Sequence, residues 1–329
     1  MVTIGAAIIV AIAIIVAAAR HDQAAAQRSV AAATPKSSAL PRQPGSYLGA
    51  YAKQSPASYR GLAAFTKATG VRPDLAMYYS SWLEPFQARF AATAARHGAV
   101  PLVQIEPYGT SLKAIAAGRY DGYLAGYAAA VRAYGHPVIL SFGHEPNGYW
   151  YPWSYRHASP AVFVAAWRHI VTYFRGAQAR NVTWLWTINI IDPRTGIRAP
   201  APWWPGAGYV TWVGIDGYYY KPTWTFAPLF GPTIKAVRAL TTDPIIVSET
   251  GAAPAAGKAA KITDLFAGIR AYGLLGFVWF DSVGLKDWRI SDPAALAAYH
   301  RGARTSHYGS SSHRKPRAMT GASSTRGAS

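Results

Sequence analysis

Carboxylates are the side chains of this sequence best suited to acid–base chemistry, and the glutamates among them are scarce. The chain has 329 residues and only four glutamates. Three of them directly follow short apolar runs: Glu106 after VPLVQI, Glu145 after PVILSFGH and Glu249 after PIIVS. Glu84 instead opens a predicted helical stretch, where the positive end of the helix dipole favours an acid. Two carboxyls that face each other across a cleft suit glycoside hydrolysis, in which one protonates the leaving oxygen and the other attacks carbon or activates water.

Other catalytic chemistries lack their sequence signatures. The chain has no cysteine, which excludes disulfides, thiol catalysis and cysteine-ligated metals. Its nine histidines are scattered without an H-E-x-x-H motif, so no metal site is expected. Neither a G-x-S-x-G elbow nor a phosphate-binding loop occurs. We therefore expect chemistry that needs no cofactor.

Apolar runs and helical stretches alternate through residues 44–300. The eight strand candidates are 47–52, 74–80, 100–105, 137–143, 182–187, 210–216, 244–248 and 274–280. The helical stretches are 56–69, 84–97, 119–134, 160–179, 230–240, 258–272 and 292–301. Several strand candidates are apolar without polar alternation, as in parallel strands that are covered on both faces. The order predicts an α/β fold, a (β/α)8 TIM barrel forming one catalytic domain over 44–302, with a doubly wound open sheet as the alternative.

Two Ser-Pro pairs predict where helices begin. In Ser55-Pro56 and Ser159-Pro160 a capping residue precedes a proline at the first helical position. The stretch 188–209 is rich in Pro and Trp, and the helix expected there is the least defined of the set.

A barrel of this kind builds its active site at the carboxyl ends of its strands. Glu145 would end the fourth strand and Glu249 the seventh, which approach the barrel mouth from opposite sides. Asp216 and Asp281 also end strands, and we assign them bracing roles rather than catalysis. Glu106, at the end of the third strand, would either touch the sugar or brace the site.

Four segments in this region carry a family resemblance. They are GHEPNGYWYPW (143–153), WVGIDGYYY (212–220), PIIVSETG (244–251) and VWFDS (278–282). In this order they resemble the acid/base motif, the Gly-Ile-Asp-Gly-Tyr segment, the nucleophile strand and the Trp-bearing eighth strand of glycoside hydrolase family 26. The sequence departs from that pattern at Ser141, where many members have Arg, and at Pro146, which replaces the common Met.

The resemblance implies a retaining endo-β-glycanase acting on β-mannan, mixed-linkage β-glucan or β-1,3-xylan. It implies that Glu145 is the acid/base and Glu249 the nucleophile, with Tyr218 hydrogen-bonded to the nucleophile. It further implies that His144 binds the sugar beside the cleaved bond and that Asn147 fixes the loop. Three tryptophans would form sugar subsites: Trp279 as the floor of the central one, and Trp150 and Trp153 beside it.

The two ends of the chain have different compositions from the barrel. Residues 2–19 are apolar and uncharged, which predicts either a cleaved signal peptide or a membrane anchor within 1–19. Residues 20–43 are expected to be a disordered linker and 303–329 a disordered basic tail. The segments 1–43 and 301–329 hold ten Lys/Arg and one Asp, so they carry +9 of the formal charge of +19.

The apolar N-terminal segment bears on location, and the charge distribution bears on partners. We expect a secreted protein, or one on the extracellular face of the membrane, that acts as a monomer on a polysaccharide. Basic ends could also hold it to an anionic cell envelope, whereas nucleic acid is not an expected partner, because its recognition needs basic residues clustered on a structured face. Two other functions remain open: a non-catalytic glycan-binding barrel, and a binder of anionic surfaces or nucleic acid.

Overall fold

The centre of the fold is a closed barrel of eight parallel strands in a computed structural model that describes residues 40–253 and 257–305. The strands are β1 (Tyr47–Ala52), β2 (Leu75–Ser81), β3 (Val100–Glu106), β4 (Val138–Phe142), β5 (Val182–Asn189), β6 (Trp212–Asp216), β7 (Ile245–Thr250) and β8 (Gly276–Asp281). They pair in chain order, and β8 closes the barrel by pairing with β1 along its whole length. The predicted (β/α)8 barrel is confirmed, and the alternative of an open sheet is wrong.

Helices follow the strands on the outside of the barrel. They are α1 (Arg60–Thr69), α2 (Ala88–Arg96), α3 (Leu112–Ala116), α4 (Asp121–Tyr134), α5 (Pro160–Gly176), α6 (Phe226–Arg238), α7 (Lys258–Ala271) and α8 (Pro293–Thr305). Between β5 and β6 the chain forms only a short 3-10 turn, Ala201–Trp203, so the helix expected within 188–209 does not form.

One of the two Ser-Pro predictions is correct and the other is wrong. Ser159 caps α5: its hydroxyl accepts the backbone N–H of Val162, and the following proline occupies the first turn. Ser55 and Pro56 instead lie in a turn between β1 and α1, and the helix begins four residues after that proline, at Arg60.

Glu84 does not open a helix, contrary to the sequence prediction. Its carboxylate accepts the backbone N–H of Ser81 at 2.9 Å and the hydroxyl of Ser80 at 3.3 Å. The acid therefore stabilises the turn that leaves β2, and α2 begins only at Ala88.

The barrel interior changes from apolar to polar towards the carboxyl ends of the strands. The lower layers are buried apolar side chains, among them Leu75, Met77, Leu102, Ile139, Leu185, Trp212, Ile246 and Val278. The layers above them are buried polar side chains: Gln104, Ser141, Thr187, Asp216 and Ser248. Gly214 lets this polar layer close, since a Cβ there would lie 2.4 Å from the Ser248 hydroxyl oxygen. The carboxyl ends of the strands therefore offer a polar environment in which charged side chains can be placed.

Both edges of the domain differ slightly from the sequence prediction. Leu40 is buried in the lower apolar cluster beside Tyr47, and Arg42 lies 3.6 Å from Asp243. Leu40 and Arg42, which were predicted to lie in the linker, therefore contact the barrel. At the other edge α8 extends to residue 305, beyond the expected limit of 302.

The leader or anchor predicted within residues 1–19 lies outside the described residues. Within 40–253 and 257–305, no helix is long and apolar enough to cross a membrane.

Candidate active site

A cavity of about 750 Å³ opens where the strands end, and we call it the cleft. Both Glu145 and Glu249 line it, together with Glu106. Aromatic rings form much of the remaining wall: Tyr79, Tyr149, Trp150, Tyr151, Tyr218, Tyr220, Trp224, Phe280 and Trp288. Flat rings around carboxyls are suited to binding sugars, because the apolar face of a sugar ring packs on an aromatic face.

Glu145 is held by contacts on its backbone and on both carboxyl oxygens. Its φ is +54°, a left-handed conformation that costs energy for a side chain other than glycine. The backbone N–H donates to the carbonyl of Thr187 in β5 at 3.0 Å. The indole N–H of Trp150 donates to Oε2 at 2.7 Å, and the side-chain amide of Asn189 donates to Oε1 at 2.5 Å. The carboxyl is therefore fixed in orientation although the loop around it is irregular.

Burial raises the pKa of Glu145 well above the ordinary value, and the negative charge of Glu249 raises it further. The hydrogen bonds from Asn189 and Trp150 act in the opposite direction, because they favour the ionised form. Burial is the larger effect, so this carboxyl keeps a proton to higher pH than an exposed glutamate does.

Glu249 receives two phenol hydroxyls, one on each oxygen. Tyr79 donates to Oε1 at 2.5 Å and Tyr218 donates to Oε2 at 2.8 Å. Burial raises the pKa of Glu249, whereas these two hydrogen bonds lower it. The pKa of each tyrosine lies well above its ordinary value, because both are buried next to Glu249, so they remain donors.

Three further acids surround the pair. Burial and the charge of Glu249 raise the pKa of Glu106 to about 7. Asp216 is fully buried, accepts the hydroxyl of Ser248 at 2.6 Å, and has a pKa well above its ordinary value for the same reasons. Asp281 accepts the backbone N–H of Ile290 at 2.9 Å and so braces the loop after β8.

Trp279 does not form the floor of the cleft, which corrects the sequence prediction. Its side chain is completely buried, its ring centroid lies 6.5 Å from that of Tyr299 in α8, and its N–H donates to the carbonyl of Trp288. It therefore points away from the barrel axis. Its neighbour Phe280 lines the cleft, as does Trp288, whose ring packs 4.6 Å from that of Tyr218.

His144, Asn147 and Trp153, which were predicted to contact sugar or the loop beside it, are all buried behind the cleft wall. The indole N–H of Trp153 donates to the carbonyl of His144, and its ring stacks on Tyr151 at 4.5 Å. The His144 ring contacts the Tyr151 hydroxyl at 3.0 Å, and burial lowers its pKa to about 3, so it is neutral. The side-chain amide of Asn147 accepts the backbone N–H of Asn189 and donates to the backbone carbonyls of Asn189 and Arg198. These residues support the site from behind.

The remaining predicted residues do line the cleft: Glu106, Glu145, Trp150, Tyr218 and Glu249. Sequence reasoning missed several others that line the cleft, among them Tyr79, Asn189 and Trp288. Tyr79 and Asn189 lie near the ends of β2 and β5, so the strand-end rule could have found them. Trp288 lies on a loop, where no sequence pattern marks it. At the departure from the family pattern, Ser141 is buried in the barrel and donates to the Thr187 hydroxyl at 3.0 Å.

A (β/α)8 barrel that brings two carboxyls to an aromatic cleft has the architecture of a glycoside hydrolase. Comparison with known proteins identifies the family. A model of glycosyl hydrolase family 26 matches residues 114–259. Endoglucanase H of Acetivibrio thermocellus is 31% identical over 269 residues, which cover 77% of this chain and 30% of that protein. The chain belongs to glycosyl hydrolase family 26.

Solved structures show the same fold at low sequence identity. An endo-β-1,4-mannanase catalytic domain from Bacillus sp. JAMB-750 matches with a TM-score of 0.63 and 16% identity, over 81% of this chain and 87% of that one. The YdhT protein of Bacillus subtilis matches with a TM-score of 0.62 and 16% identity, over 80% and 87%. The chain spans less than a third of the length of Endoglucanase H.

Proposed function

We propose that this protein is a retaining endo-β-glycosidase that hydrolyses a β-linked polysaccharide by double displacement. The observation that carries the proposal is that two buried carboxyls line one cleft and have chemically different partners. Two hydroxyls stabilise the charge on Glu249, and that charge raises the pKa of Glu145. Glu249 is thus the carboxyl that ionises first, and Glu145 is the one that keeps the proton.

The two carboxyls would then divide the reaction between them. Glu249 attacks the anomeric carbon while Glu145 gives its proton to the leaving glycosidic oxygen, which leaves a glycosyl ester on Glu249. Glu145, now ionised, takes a proton from water as that water attacks the same carbon. The ester bond breaks, the sugar leaves, Glu249 is again a carboxylate and Glu145 is again protonated.

The aromatic walls support an endo mode of attack. Trp150 lies on the loop after β4, and Tyr220 and Trp224 lie on the loop after β6, so rings flank the carboxyl pair from different loops. Trp150 and Tyr220 are 38% and 42% exposed, which leaves their faces open to a ligand. A polysaccharide chain could therefore be held through several sugars around the cleaved bond.

We propose a β-glucan as the substrate. The relative with 31% identity is named an endoglucanase, whereas the mannanase structures are at most 18% identical and share the fold alone. β-Mannan is the alternative that a substrate screen must include. The apolar residues 2–19 support export of the enzyme or its attachment to the membrane, where such a polymer is accessible.

The test is a reducing-end assay on mixed-linkage β-glucan, β-mannan and β-xylan with wild type, Glu249→Gln and Glu84→Gln. We expect hydrolysis of the glucan, a loss of at least about 10³-fold in Glu249→Gln, and a rate within about twofold of wild type in Glu84→Gln. Glu84 is the matched control, because it is the one glutamate that lies outside the cleft. Retention on polysaccharide gels without any turnover would show a glycan-binding barrel instead. A full rate in Glu249→Gln would overturn the nucleophile assignment.

A further inference from the structure

The end of β5 reaches the catalytic carboxyl through one side chain, that of Asn189. Asn189 lines the cleft, and its amide N–H donates to Oε1 of Glu145. The other oxygen of Glu145 is bonded by Trp150, which lies on a loop and is 38% exposed. Asn189 is therefore the contact that ties the carboxyl to the frame of the barrel.

Asn147 fixes the position of Asn189 from behind. Strand pairing between β4 and β5 ends at Leu140 and Trp184. Beyond that point the side-chain amide of Asn147 takes over the role of a neighbouring strand: its oxygen accepts the backbone N–H of Asn189, and its nitrogen donates to the Asn189 carbonyl, each at 2.9 Å. The same nitrogen donates to the carbonyl of Arg198, so it is fully used.

The two partners of Glu145 differ in what they can do when the carboxyl is protonated. An indole N–H is a donor only, so Trp150 bonds an oxygen in the same way in both protonation states. A primary amide has a donor nitrogen and an acceptor oxygen, so Asn189 can donate to the carboxylate and, after rotation, accept from the carboxylic acid. Of these two residues, only Asn189 can therefore donate to the ionised form of Glu145 and also accept from its protonated form.

We propose that Asn189 is a positioning residue that holds the Glu145 carboxyl for proton transfer, and that Asn147 fixes it in place. The inference rests on the proposed role of Glu145 as acid/base. It predicts that loss of the amide impairs only steps that need a proton from Glu145. A residue that bound sugar directly would instead affect every substrate alike.

The first test does not require turnover. With only four glutamates in the chain, ¹³C labelling of glutamate carboxyls gives few signals, and Glu145→Gln assigns the one of interest. In Asn189→Ala the titration of Glu145 should move to higher pH, since a donor to the ionised form is lost. Asn181→Ala is the matched control, because Asn181 donates only to the carbonyls of Val131 and His136. An unmoved titration in Asn189→Ala would overturn the proposal.

The second test separates proton donation from sugar binding. For Asn189→Ala we expect kcat/KM on the polysaccharide to fall about 10-fold or more, which is part of the 10²–10⁴-fold that general acid catalysis contributes. On a 2,4-dinitrophenyl glycoside of the same sugar, whose leaving group needs no proton, kcat/KM should stay within about threefold. The basic limb of the polysaccharide pH profile should move upward. Equal losses on both substrates, or none on either, would overturn the positioning role.

A second variant of Asn189 keeps the outcomes distinct. Asn189→Asp keeps the size of the side chain but replaces the donor with an acid, so it should show the same selectivity for leaving groups even if Asn189→Ala folds poorly. If wild type turns over normally and neither variant discriminates between the polysaccharide and the 2,4-dinitrophenyl glycoside, the inference is rejected and the proposed function stands. Absence of turnover in wild type would reject the proposed function. The titration would still show whether Asn189 donates a hydrogen bond to Glu145.

Discussion

Glu145 and Glu249 occupy one cleft, but their hydrogen-bond donors differ in kind. Glu249 receives two tyrosine hydroxyls, whereas Glu145 receives an indole and an amide N–H. Hydrogen bonds to a carboxylate favour its ionised form, and burial of both groups opposes ionisation. The proposed roles of the two carboxyls therefore depend on the residues that contact each one, and not on the carboxyls alone.

The tyrosine pair gives a prediction about the acidic limb of the pH profile. Removing one hydroxyl, in Tyr79→Phe or Tyr218→Phe, takes away a donor that lowers the pKa of Glu249. In the proposed mechanism Glu249 must be ionised to attack. The acidic limb of kcat/KM should therefore move to higher pH, and the rate should fall about 10-fold, as expected for loss of a hydrogen bond to a charged group.

The neighbouring tyrosine supplies the control for this prediction. Tyr219 is completely buried, and its hydroxyl donates to Asp264 and does not line the cleft. Tyr219→Phe should leave the acidic limb in place. A shift of the same size in Tyr219→Phe would show that the effect comes from the fold and not from Glu249.

At the level of single residues, the sequence predicted the acids better than their partners. Glu145 and Glu249 could be found because each follows an apolar strand and acids are scarce. The contact of Tyr79 with Glu249 joins residues 170 positions apart across the barrel. Such a pair depends on barrel closure and strand register, which no local pattern in one sequence specifies.

At the level of secondary structure, the positions of the strands were easier to predict than the direction in which each side chain points, towards the cleft or towards the helices. The ends of the strand candidates lie within two residues of those of the observed strands, because continuous apolar runs mark strands covered on both faces. The same property hides which side chain points inward. In VWFD of β8, Trp279 and Phe280 are both apolar, so the sequence does not show that Phe280 faces the cleft and Trp279 the helices.

The two tryptophans near the end of the barrel give a matched prediction. Trp279→Phe should lower the melting temperature while kcat/KM stays within about twofold, because Trp279 is buried beside Tyr299 of α8 and does not line the cleft. Trp288→Phe should lower kcat/KM about fivefold or more, since this ring borders the cleft and packs on Tyr218, and an aromatic contact contributes about 1 kcal/mol. Calorimetry and steady-state kinetics on both variants check this, and a reversed pattern would contradict the geometry.

At the level of the whole molecule, the buried acids in and around the cleft lower the free energy of unfolding at neutral pH. Glu106, Glu145, Asp216 and Glu249 all have pKa values above their ordinary range, first of all because they are buried. A carboxyl with a raised pKa in the folded state binds its proton more tightly there than in the unfolded chain. Its contribution to stability is present at low pH and is lost as pH rises through the folded-state pKa.

This predicts that an uncharged replacement stabilises the protein in a pH-dependent way. Glu145→Gln should have nearly the same unfolding temperature as wild type near pH 4, and a temperature about 2 °C or more above wild type near pH 8. Asn181→Ala, which removes no titratable group, should differ from wild type by a similar amount at both pH values. A Glu145→Gln difference that does not grow with pH would contradict the raised pKa.

Double displacement on Glu249 is tested most directly by trapping the glycosyl ester. A 2-deoxy-2-fluoro glycoside with a 2,4-dinitrophenyl leaving group, built on the sugar that the enzyme hydrolyses, should form the ester quickly and lose it slowly. Mass spectrometry of the digested protein should then find one added fluorosugar on the peptide that contains Glu249, and none in Glu249→Gln. Steady hydrolysis without a covalent adduct, or an adduct on Glu145, would contradict the central claim.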